Sequence, residues 1–140
     1  MNERPEFRLD VQRWMEKAEH DLRNAEYVLT LADDCPTDTV CFHCQQCAEK
    51  YLKAVLVYYG VDFPKTHDLV VLLNLAASTG EVSLKVGQVQ PLNRYSVEAR
   101  YPGDWDPIDV NEAREAVKMA RDVRTAVRDM LPTDATEGKT

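Results

Sequence analysis

Cys41-Phe42-His43-Cys44-Gln45-Gln46-Cys47-Ala48-Glu49-Lys50-Tyr51-Leu52-Lys53-Ala54 can be read in two ways, and the choice decides the fold. Spelled out, it carries the C-x-x-C-x-x-C spacing found in iron–sulfur and zinc sites. Wound as a helix, it places Cys41, Cys44, Ala48, Tyr51, Val55 and Tyr58 on one apolar stripe, at spacings of three and four. Leu52, Leu56 and Tyr59 widen that stripe, as expected of a central helix touched on two sides. At about 1.5 Å of rise per residue, the first and last of the three cysteines stand roughly 9 Å apart along the axis, so one ion does not reach all three. The helical reading prevails. The cysteines pack as small core residues, and no metal site or cofactor is expected. Thr37 or Asp38 is expected to cap this helix, and Gly60 to end it.

On the N-terminal side, Val11, Trp14, Ala18, Leu22, Ala25, Leu29 and Ala32 mark a long amphipathic helix that stops before Asp33-Asp34-Cys35-Pro36. On the C-terminal side, Thr66 or Asp68 caps a shorter helix carrying Leu69, Leu72, Leu73 and Ala76. Residues 81–100 read as a weak first part and a firmer helix from Pro91, which suits a first helical position. Tyr101-Pro102-Gly103 reads as a turn. Asp109 then caps a last helix with Ala113, Ala116, Val117, Ala120, Val123, Val127 and Leu131 on its apolar side. No segment alternates like a strand. The expectation is an all-α, antiparallel bundle of four to five helices forming one domain over 1–132, with a disordered tail at 133–140.

At 140 residues the chain has room for one core. No run approaches the roughly 20 apolar residues of a membrane span, and Met1-Asn2-Glu3-Arg4-Pro5 does not resemble an export signal, which points to the cytoplasm and away from a membrane. Four cysteines without an export signal read as reduced thiols. The net charge of −7 argues against sequence-blind binding to nucleic acid. That charge is uneven. Residues 1–34 carry 5 basic and 9 acidic side chains, residues 102–140 carry 6 and 9, and the middle, 35–101, carries 6 and 6. A local site for an anion is therefore compatible with the middle of the chain.

Three clusters there are candidates. His43, Gln46, Lys50 and Lys53 follow one another at spacings of three, four and three, a polar stripe beside the apolar one. Either it faces water, or its lysines supply charge and its histidine a donor to a half-buried anion. Lys65-Thr66-His67-Asp68 opens a helix, where backbone N–H groups favour phosphate and where capping explains Thr66 and Asp68 equally. Arg94, Arg100 and Tyr101 belong to a run with two arginines and two tyrosines, able to present a stacking, phosphate-facing edge; Arg94 and Glu98 can also pair across one turn.

Taken in order and spacing, Cys41–Ala54, Lys65-Thr66-His67-Asp68-Leu69 and Glu98-Ala99-Arg100-Tyr101-Pro102-Gly103 resemble the HEPN family (higher eukaryotes and prokaryotes nucleotide-binding), over nearly the whole chain from Trp14 to Met130. The resemblance implies a bundle of four to five helices, often a homodimer, and for many prokaryotic members a minimal nucleotidyltransferase partner in a toxin–antitoxin-like pair. Catalytic members are metal-independent ribonucleases with an R-x4–6-H motif late in the bundle. Here no histidine follows Arg94 or Arg100 at that distance, and the one textual match, Arg13 and His20, lies in the first helix. The expectation is a binding or partner protein for a nucleotide or RNA, without catalytic residues. Its ligand-binding residues would be His43, Lys50, Lys53, Lys65, His67, Arg94, Arg100 and Tyr101. The alternatives are a metal-independent endoribonuclease with a non-standard active site, or a purely structural interaction protein.

Overall fold

The computed structural model describes residues 5–80, 82–96 and 107–132. Four α-helices carry it: α1 (Pro5–Leu29), α2 (Thr37–Tyr58), α3 (Leu69–Ala77) and α4 (Val110–Met130). Short 3-10 turns lie at Ala32–Asp34, Val86–Gln88 and Gln90–Tyr95. Among the described residues there is no strand, and no helix is long and apolar enough to cross a membrane.

The cysteine-bearing stretch is indeed one helix and the centre of the molecule. Cys41, Cys44, Cys47, Ala48, Tyr51, Leu52, Val55 and Leu56 are all buried, facing α1, α4 and α3. Gly60 ends α2 in the left-handed conformation (φ 69°), with its N–H on the Val57 carbonyl and the Val61 N–H on the Leu56 carbonyl. These two bonds close the orphan carbonyls of the last turn. At the other end neither Thr37 nor Asp38 caps the helix as expected. Thr37 Oγ1 donates instead to the Ile108 carbonyl at 2.6 Å, tying the start of α2 to the approach to α4. Tyr59 Oη donates to the Met130 carbonyl at 3.2 Å. Start meets start and end meets end, so α2 and α4 run parallel. α1 runs opposite to both, because its early Trp14 meets Lys53 while its later Asp21 meets His43.

Two further expectations are corrected. The buried edge of α1 is Val11, Met15, Ala18, Leu22 and Ala25; Trp14 and Leu29 are only partly buried, and Ala32 has left the helix, exposed at φ 54°. Met15 and Trp14 border opposite edges of the same stripe, and the packing took the flexible thioether inward. The firmer helix expected from Pro91 is a six-residue 3-10 segment. Its Asn93 turns back to α3, where Oδ1 accepts from the Leu69 N–H at 2.8 Å and Nδ2 donates to Asp68 Oδ1 at 3.0 Å. The caps read at Asp68 and Asp109 are in place, accepting from Val70 and Glu112 N–H groups at 2.9 and 2.8 Å. The expected tail and the Tyr101-Pro102-Gly103 turn lie outside the described residues.

Candidate functional site

Two carboxylates organise the polar stripe of α2. Asp21 comes from α1, its side chain 11% exposed. One of its oxygens lies 2.8 Å from His43 Nδ1, and the other accepts from Lys50 Nζ at 2.7 Å. His43 and Lys50 are separated by two turns of α2, so a single carboxylate facing that helix spans both. Glu49 belongs to α2 itself and is 6% exposed. Its Oε2 accepts from Lys53 Nζ, one turn on, at 2.9 Å. Its Oε1 accepts from Gln45 Nε2 at 3.1 Å and lies 2.9 Å from His67 Nδ1. The fully buried Gln45 uses its second amide hydrogen on the His67 carbonyl at 3.1 Å and accepts from Gln46 at 2.8 Å. Lys53 Nζ also lies 5.7 Å from the ring centroids of Trp14 and Phe63, a cation–π arrangement.

Burial by itself would raise the Glu49 carboxyl, but hydrogen bonds from Lys53, His67 and Gln45 outweigh it and hold the group below its ordinary value. It is an anion at neutral pH. The arrangement can orient cations without leaving a large local field, because each lysine sits on a carboxylate. Each histidine has its Nδ1 engaged by a carboxylate, which fixes the ring.

The structure places four of the residues expected from sequence in two pairs: His43 and Lys50 on Asp21, and Lys53 and His67 on Glu49. Lys65 is exposed, with no acidic partner among the described residues. Arg94 stands apart. Its Nη1 pairs with Glu112 Oε2 of α4 at 3.0 Å, and its guanidinium lies 5.4 Å from the Tyr95 ring centroid. Glu98, the partner expected for it, and Arg100 and Tyr101 lie outside the described residues. The organising carboxylates were missed from sequence. Glu49 had a signal, standing four residues from both Gln45 and Lys53; Asp21 had none, since its partners are 22 and 29 residues away.

On the other side of α1, Glu19 collects Tyr51 Oη, Arg124 Nε and, at 3.7 Å, Arg128 Nη2. Burial works to raise this carboxyl too, and the Tyr51 and Arg124 hydrogen bonds overcome it. The Tyr51 phenol is pushed up by burial and by Glu19. Arg13 and His20 line one cleft of about 520 Å³ on this side, together with Arg23 and Arg128. The cysteines take the packing role expected of them. Burial raises the Cys44 and Cys47 thiols and keeps them protonated as small core side chains.

The HEPN domain model matches residues 11–130. A Methanocaldococcus jannaschii protein named "Putative toxin MJ1304" is 30% identical over 133 residues, covering 84% of this chain and 86% of that one. The crystal structure of TT1696 from Thermus thermophilus superposes with a TM-score of 0.66 at 29% identity, covering 86% of this chain and 98% of that one. The archaeal HEPN homologue ST0689 gives the same TM-score at 23% identity, covering 86% and 96%, and bears on the fold alone.

Proposed function

We propose, for a chain that belongs to the HEPN domain family, a toxin-type role exercised by binding. The ligand is a nucleotide or RNA phosphate, the working form is a homodimer, and a nucleotidyltransferase is the cognate partner. The toxin part draws on the M. jannaschii relative. The binding part draws on one observation: in a protein of net charge −7, two lysine–histidine pairs are oriented along α2, one by Asp21 and one by Glu49. Prepositioned donors lose little freedom when a ligand arrives.

Calorimetry of the whole chain with nucleotides and short RNA tests this, with mass measurement of whatever co-purifies from the native host. The expected results are saturable heat, at least tenfold weaker in Lys50→Ala, and a co-purifying nucleotidyltransferase. Absence of heat with every nucleotide and RNA overturns the ligand part. A monomeric mass with no companion overturns the partner part.

A metal-independent endoribonuclease is a second reading, favoured by Arg13 and His20 sharing a cleft with Arg128. It requires RNA cleavage in EDTA that His20→Ala abolishes. Intact RNA with the wild type removes it.

A further inference from the structure

Beside the Asp21 network, an open cleft of about 410 Å³ runs between α1 and α2, lined by Asp10, Arg13, Trp14, Lys17 and Lys50. Its lining is mostly basic although the molecule as a whole is acidic. Three cations face one carboxylate around an indole. Lys50 is already held by Asp21 at 2.7 Å. Arg13 lies 3.7 Å from Asp10, with both side chains more than half exposed, so this pair contributes little and opens readily. Lys17, on the exposed face of α1, has no acidic partner among the described residues. Trp14, the residue that packing left at the edge of the core, lines the cleft with its partly buried ring. The core does not require an indole there, since Met15 fills the inward position.

We propose that this cleft seats one mononucleotide, with the base against Trp14 and the phosphate on Lys17 and Arg13. Three observations lead to that ligand. The aromatic surface takes the flat face of a base, whatever the base. The two cations that are unpaired or loosely paired stand four residues apart, one turn of α1, and suit a compact anion. The volume lies within the usual range for small-ligand sites of roughly 300–1,000 Å³. A long polyanion fits less well, because the net charge of −7 repels it. Lys50 joins the cleft to Asp21 and through it to His43, so an arriving phosphate competes with Asp21 for the Lys50 ammonium and is sensed at the His43 ring.

The proposal deepens the binding role above, and its test separates the two. The chain has two tryptophans, and Trp105→Phe leaves Trp14 as the only indole. Titrating that variant with adenosine monophosphate should give saturable quenching of Trp14 fluorescence. Adenosine and pyrophosphate, each supplying half of the recognition, should bind at least tenfold more weakly. Lys17→Glu, an exposed substitution, should weaken binding at least tenfold with unchanged circular dichroism. Asp10→Asn, which removes the one carboxylate lining the cleft among the described residues, should tighten it about threefold. Equal quenching by adenosine and its monophosphate overturns the phosphate assignment. Calorimetric binding that Lys17→Glu leaves unchanged overturns the cleft while leaving the broader role standing. Preference for an RNA oligomer over the mononucleotide overturns the choice of ligand. No binding of any nucleotide to the wild type overturns both.

Discussion

The two sides of α1 meet carboxylates that are used in different ways. Toward α2, Asp21 and Glu49 hold lysines and histidines, of which His43, Lys50 and His67 are partly exposed and Lys53 is buried. Toward α4, Glu19 holds two arginines and a buried tyrosine. An arginine fork is always charged and planar, and pairs with a carboxylate as a fixed clamp. Lysine and histidine are a mobile point charge and a titratable ring, both able to exchange one anion for another. The α4 side thus suits a fixed clamp between helices, and the α2 side is the one to which the proposed ligand is assigned.

That distinction has measurable consequences. Glu49→Ala should be the most damaging change, costing about 3 kcal/mol, because it leaves Lys53, 11% exposed, without its counter-charge and strips Gln45 of an acceptor. Glu19→Ala should cost about 2 kcal/mol, mostly from the orphaned Tyr51 hydroxyl, since its arginines reach water. Urea unfolding measures both, and a reversed order would contradict the burial argument.

Acid should weaken both sides. Glu19 and Glu49 are each held below the reference value of 4.5 in the folded protein. Their contribution is complete above that pH and is lost as pH falls through the folded values. Glu49→Gln should flatten this part of the stability–pH curve; an unchanged slope would mean the network does not hold the carboxylate. The smallest effect belongs to the exposed Arg121–Glu26 pair at 2.8 Å, where Arg121→Ala should cost no more than about 0.5 kcal/mol. A larger loss would mean that exposed pairs on the α4 side also clamp the bundle.

The fold was legible in the sequence wherever local chemistry acts alone. The spacing of Cys41, Cys44 and Ala48, the stop at Gly60, and the caps at Asp68 and Asp109 each depend on neighbours within a turn. Legibility ended where distant groups compete. Pro91 starts a helical segment as expected, but Asn93 spends its amide on the end of α3 and the segment remains a 3-10 turn. Thr37 had a local cap available and bonds Ile108 instead. Half of the candidate site was readable for the same reason. His43, Lys50 and Lys53 show their shared face through helical spacing, while Asp21, which positions two of them, is brought in by tertiary packing alone. Trp14 reads as core in the sequence because spacing alone does not distinguish the middle of an apolar stripe from its edge.

The most direct test is nuclear magnetic resonance of the isotopically labelled chain titrated with adenosine monophosphate, following backbone amides, the imidazoles and the arginine side chains. The expected result is a set of shifts at Trp14, Lys17, His43 and Lys50, with the Arg124 and Arg128 signals unmoved. Shifts centred on Glu19 and those arginines, or a spectrum that does not respond, would contradict the division of α1 into a binding side and a clamping side.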